Sequence, residues 1–108
     1  MKKFLAAGAA TAVAAGALAI PALAATKTVQ VKDNVFVAKK ITVSKGTTVK
    51  WVWKGKAPHN VKVTRGPVKF GSKTQVKGSY SKKMTHKGTY TIVCTIHAPS
   101  MKMTIHVK

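Results

Sequence analysis

The chain has 108 residues, with 20 Lys or Arg against a single acid, Asp33, for a formal charge of +19. That length allows one domain, and a lone cysteine, Cys94, excludes an internal disulfide framework. Every basic residue but Arg65 is a lysine. Lysines are hydrated point charges, whereas bidentate reading of bases and phosphates favours Arg. So basic a surface attracts any polyanion, whether an acidic protein, an anionic envelope or nucleic acid; the export pattern of residues 1–24 argues against nucleic acid as the partner.

The first expected element stands apart from the domain. Lys2 and Lys3 precede an apolar run from Phe4 to Ile20, rich in Ala and Gly; Pro21 and then Ala22-Leu23-Ala24 follow. This is the pattern of a secretory signal peptide, expected over residues 1–24 with cleavage after Ala24. The run falls short of the ~20 apolar residues of a membrane span. No cysteine follows the cut and no twin arginine precedes the run, so the general export route is expected without a lipid anchor. Removing Lys2 and Lys3 leaves +17 on residues 25–108. An exported or periplasmic domain of that size buries only a modest core, and metal binding is one way to stabilise it.

Period-two alternation runs through the remainder, bounded by Gly, Pro, Asn and Lys. Val29 and Val31 alternate with polar neighbours, Asp33-Asn34 signals a turn, and Val35-Phe36-Val37 follows. Ile41 and Val43 form the next strand; Val49, Trp51 and Trp53 share one face of another; Val61 and Val63 a further one. Residues 68–81 have weak periodicity and read as loops with short edge strands. Tyr90, Ile92 and Cys94 then alternate, and Met103, Ile105 and Val107 close the chain. Short strands without intervening helices predict an all-β antiparallel sandwich, with lysines keeping the outer faces wet and the edges unpaired.

Metal-ligating side chains gather at two places. His59 lies in a loop before the Val61–Val63 strand, and Cys94, His97 and Met101 follow the Tyr90–Cys94 strand. Parity aims the Cys94 sulfur inward at one end of the sandwich, where His97 and Met101 can return on the same loop. Two imidazoles, a thiolate and a thioether suit copper in both Cu(II) and Cu(I) states, and a His₂Cys set with a weak axial Met marks electron-transfer copper. Zinc would favour further Cys or His. Met103 is a second axial candidate, but its parity with Ile105 and Val107 places it in the core, so Met101 is preferred. Asn60 is positioned to tie the two ligand loops together. A cysteine nucleophile is the rival chemistry, and no orienting carboxylate is apparent for it, since Asp33 is the only acid. His86 and His106 read as surface residues, Trp51 and Trp53 as core, and Tyr90 as a packing or corner residue.

Pro58-His59-Asn60-Val61, Gly88-Thr89-Tyr90 and Cys94-Thr95-Ile96-His97 resemble the plastocyanin and amicyanin branch of the cupredoxins, as do Asn34-Val35-Phe36, Ile41 to Gly46 and Val49-Lys50-Trp51. The resemblance implies a Greek-key β-sandwich over residues 25–108 holding one type 1 copper ion. It implies His59, Cys94 and His97 as equatorial ligands and a methionine beyond His97 as the axial one. It further implies single-electron transfer between larger redox proteins, and no enzymatic activity. Copper scavenging, storage or delivery is the alternative. The charge predicts redox partners with acidic docking surfaces, weak contact with an anionic cell envelope, and a monomer kept apart by repulsion.

Overall fold

The computed structural model describes residues 25–108; the expected signal peptide lies outside the described residues. Eight strands form, with no helix among the described residues: β1 (Thr26–Lys32), β2 (Val35–Val37), β3 (Lys40–Val43), β4 (Thr48–Trp53), β5 (Lys62–Arg65), β6 (Ser79–Lys83), β7 (Gly88–Val93) and β8 (Lys102–Val107). They make two four-stranded sheets, ordered β2-β1-β4-β6 and β3-β8-β7-β5. The expected all-β sandwich is present, and its alternation is that of the sequence. Val49, Trp51 and Trp53 of β4 face inward, as do Met103, Ile105 and Val107 of β8.

The two sheets are mixed and not wholly antiparallel. β1 pairs parallel with β4, and β3 pairs parallel with β8. Parallel neighbours need a crossover. Between β1 and β4 it is made by β2, which folds back on β1, and by β3, which lies in the opposite sheet. Side-chain alternation reports which face a residue occupies, not which strand it meets, so strand direction was not readable from it.

The core is one cluster spanning both sheets, from Val29 and Phe36 through Trp51 to Ile92 and Ile105. Trp51 is fully buried at its centre, with the Phe70 and Tyr80 rings at 6.2 and 5.7 Å. The segment between β5 and β6 is irregular, as expected, and packs Val68 and Phe70 against this cluster. The Tyr90 hydroxyl donates to the His86 carbonyl at 2.9 Å, pinning the turn into β7 as a corner residue does. Edge strands β5 and β6 carry Lys62, Arg65, Lys82 and Lys83, and β5 has a register shift between Val63 and Arg65. Charge and irregularity both discourage pairing with another chain.

Candidate metal centre

Antiparallel pairing sets Lys62 of β5 opposite Val93 of β7. The residues just before β5 therefore meet those just after β7: His59, Asn60 and Val61 on one side, Cys94 and Thr95 on the other. Asn60 joins the two loops as expected, its Nδ2 donating to Thr95 Oγ1 and its Oδ1 accepting the Thr95 N–H, both at 2.8 Å. His59 is held further by its backbone, which exchanges two 3.0 Å hydrogen bonds with Gln75, and by the Trp53 indole, which donates to its carbonyl at 3.2 Å.

The loop from Cys94 to Met101 folds on itself. The His97 N–H donates to the Cys94 carbonyl at 3.2 Å, the Met101 N–H to the His97 carbonyl at 3.2 Å, and the Cys94 N–H to the Met101 carbonyl at 3.0 Å. These bonds bring both ends of the loop together and direct the His97 ring back over Cys94. The Cys94 sulfur lies 3.8 Å from His59 Nδ1 and 3.6 Å from His97 Nδ1. One ligand atom from each of the three residues falls within 4.8 Å of the others.

Burial is graded across this cluster. His59 and Cys94 are fully buried, while His97 is half-buried. A fully buried imidazole is uncommon and needs partners for both nitrogens. At Nδ1, the only hydrogen-bonding atom within reach among the described residues is the Cys94 sulfur, a weak partner for a ring nitrogen. Two imidazole nitrogens converging on a thiol is the donor chemistry of a copper site.

Met101 is fully buried, with its backbone against Cys94. Met103 is buried as well, but its sulfur accepts the Trp51 indole N–H at 3.4 Å, within the core. His86 and His106 are exposed and lie beside Thr85 and Thr89 hydroxyls at 2.9 and 3.1 Å, away from the cluster.

Asp33 is the residue the sequence did not place here. Its Oδ1 lies 3.0 Å from His59 Nε2. Its carboxylate also accepts the Lys56 N–H at 3.0 Å on each oxygen and the Ala57 N–H at 2.9 Å. The Ala57 amide, then the His59 ring and the Lys56 amide, hold its carboxyl down to about 2, so it carries its charge throughout the neutral range. The expectation that no carboxylate orients a histidine beside Cys94 is thus corrected: β1 runs parallel to β4 and delivers Asp33 to the loop after Trp53. The resulting Cys94, His59 and Asp33 array still does not suit a nucleophile, because the sulfur is fully buried with a second imidazole against it. A substrate carbonyl has no approach to it.

The comparisons agree with this geometry. Residues 24–108 match the family described as copper binding proteins, plastocyanin/azurin family. No curated protein matches the chain. Among solved structures, an oxidised amicyanin variant is 27% identical with a TM-score of 0.68, covering 76% of this chain and 81% of that one. A reduced amicyanin variant is 25% identical with a TM-score of 0.69, covering 82% and 87%. A copper-containing nitrite reductase from Thermus scotoductus SA-01 is 31% identical with a TM-score of 0.70 over 89% of this chain, but the match spans only 25% of that larger protein. The chain belongs to the plastocyanin/azurin family of copper-binding proteins, the cupredoxins, and its His59, Cys94 and His97 cluster fits a type 1 copper site.

Proposed function

We propose that the protein is an exported electron carrier, not an enzyme, in which His59, Cys94, His97 and Met101 hold one copper ion. The observation that carries this reading is the graded burial of the three convergent donors. Two are sealed from solvent, and the third, His97, alone reaches toward the surface. Bound there, copper would supply a one-electron couple. His59, Cys94 and Met101 are buried around it, and the half-buried His97 edge offers the electron a route in and out.

Around that edge the surface is apolar. Ile96 is 49% exposed, and Pro58, Ala98 and Pro99 are exposed beside it. A small apolar contact on a chain with 20 basic residues suits brief docking to a partner with an acidic surface, where charge accelerates encounter and the small contact allows release. Electron transfer to such a partner should slow roughly tenfold or more between about 0.01 and 0.1 M salt, as the screening length falls from ~30 to ~10 Å. A rate independent of salt would remove the steering role of the lysines. Export rests on the signal-peptide pattern of residues 1–24 and on the cationic surface, which also suits weak contact with an anionic envelope.

The carrier reading is tested by cycling. The copper-loaded protein should take up one electron per chain and return it with the metal retained. If the reduced form instead yields its copper to an equimolar Cu(I) chelator on mixing, delivery or storage replaces electron transfer.

Assignment of Met101 is supported by the engagement of the Met103 sulfur with Trp51. Met101→Leu should shift the visible spectrum and raise the reduction potential, because a weak axial donor to Cu(II) is lost. Met103→Leu keeps the volume but leaves the buried Trp51 N–H without its acceptor, so it should cost about 1–3 kcal/mol and leave the spectrum alone. The opposite pattern would assign Met103.

A further inference from the structure

We propose that Asp33 is a positioning residue of the metal centre, its carboxylate fixing the His59 ring with Nδ1 toward Cys94 and biasing bound copper toward Cu(II). The proposal rests on the copper-carrier reading above and adds a residue from a strand that supplies no ligand.

Asp33 is the only carboxylate side chain in a chain with 20 basic residues. In such a surplus of lysine, a surface aspartate would be expected to pair with one. Among the described residues its ionic contact is instead with His59, at 3.0 Å. The contact is made by built structure. β1 pairs parallel with β4 in continuous register as far as Val31 opposite Trp53, and the Lys54 N–H donates to the Val31 carbonyl at 2.8 Å. The chains leaving both strands therefore emerge side by side. Asn34, at φ 69°, turns the first back into β2 and leaves Asp33 facing the second. That second segment wraps the carboxylate with the Lys56 and Ala57 N–H groups. Gly55 begins the wrap, and a Cβ there would overlap both the Asp33 carboxylate and its backbone nitrogen. The loop leading to His59 is thus shaped around one carboxylate.

The consequence for His59 is chemical. A carboxylate facing Nε2 accepts a proton-bearing nitrogen, so the neutral ring carries its hydrogen on Nε2 and turns the Nδ1 lone pair to Cys94. Without it, the Nε2 of this fully buried ring has no partner among the described residues, and only the weak contact of Nδ1 with the Cys94 sulfur is left to orient the ring. The negative charge also lies one imidazole away from the site, where it favours the more positive oxidation state and offsets part of the lysine field. A loop cap alone would do neither.

Asp33→Asn separates the two roles. It keeps the side-chain size and an oxygen that accepts from Ala57, Lys56 and His59, but removes the charge. The copper-loaded variant, expressed from the full chain, should remain blue with its ratio of Cu(I) to Cu(II) affinity raised about tenfold, which is a potential about 59 mV higher for a one-electron couple. Thr26→Lys adds the same unit of charge at the far end of β1, about 20 Å away along the strand; it should move that ratio less than twofold. A native potential in Asp33→Asn, or an equal shift in Thr26→Lys, overturns the proposal and leaves Asp33 as a loop cap or a general charge effect. A further measurement needs no variant. Nitrogen-15 NMR of the metal-free protein should show His59 protonated on Nε2, and protonation on Nδ1 overturns the positioning role. If the unmodified protein gives no blue colour with Cu(II), the copper reading fails by itself, while the NMR result still decides whether Asp33 orients His59.

Discussion

Replacing Cys94 by alanine should abolish the intense blue colour that Cu(II) gives with the native protein, while the protein stays folded. The colour of a type 1 site comes from charge transfer out of a thiolate, and Cys94 is the only cysteine in the chain. Its sulfur is the donor shared by both imidazoles, 3.8 Å from His59 Nδ1 and 3.6 Å from His97 Nδ1. Without it two imidazoles remain, together with a thioether that binds Cu(II) weakly, so the variant should bind Cu(II) as an ordinary, pale site. The loop need not collapse, because the bonds that close it run between backbone atoms of Cys94, His97 and Met101, which alanine retains. Visible absorption with Cu(II) and urea denaturation of the metal-free protein together decide the matter. If Cys94 were an inert core residue, the colour would survive and only a modest loss of stability would appear. Loss of both colour and fold would instead assign the sulfur a structural role.

Most of the ligand cluster was legible because it depends on local arrangement. Cys94 sits one step beyond Ile92 on an inward face, and His97 follows within a loop too short to carry it far. Both facts are matters of strand parity. His59 could be joined to them only because the order of residues around it, Pro58 to Val61, resembles a family in which the corresponding loops meet. The structure supplies the physical cause, the pairing of β5 with β7 that sets Lys62 against Val93. Residues 68–78 resisted reading for a related reason. Beyond the packing of Val68 and Phe70 on the core, their strand-like pairing is confined to isolated bridges to His59 and Lys62, and such bridges leave no periodic trace.

Asp33 shows where local reading stops. In the sequence it is a turn residue, 26 positions from His59, and nothing in its neighbours points to a histidine. Its role depends on the parallel pairing of β1 with β4, a long-range choice that alternation cannot specify. A signal was nonetheless present in the composition. A chain that keeps one carboxylate among 20 basic residues has a carboxylate that needs explaining. In the sequence only parity separates Met101 from Met103; the Trp51 indole against the Met103 sulfur adds an independent, chemical reason for the same choice.

Trp51→Ala should be among the most destabilising single changes in the domain, costing about 3–5 kcal/mol. A domain of this size has only about 4–13 kcal/mol to lose, so the change removes a large share of the metal-free protein's stability. Trp51 is fully buried and lies where the Phe70 and Tyr80 rings converge. Truncation leaves a void that neither sheet can close without breaking the β1 and β6 pairings that flank β4. It also frees the Met103 sulfur from the indole N–H. Copper should add to the stability of native protein and variant alike, because a metal that binds the folded state alone stabilises it in proportion to the logarithm of concentration over dissociation constant. Urea denaturation should therefore show a large drop in midpoint for the metal-free variant, and Cu(II) should raise both midpoints while leaving the loss in the loaded form at least as large. A loss under about 1 kcal/mol in the metal-free protein would mean that the core repacks around the missing ring. A smaller loss in the loaded form, which requires tighter copper binding by the variant, would mean that the site does not depend on the core beneath it. Trp51 lies on the strand whose last residue, Trp53, holds the His59 carbonyl. The core and the metal centre are joined through β4, so a core disturbed at Trp51 loosens the hold on His59 and weakens the binding by which copper stabilises the fold.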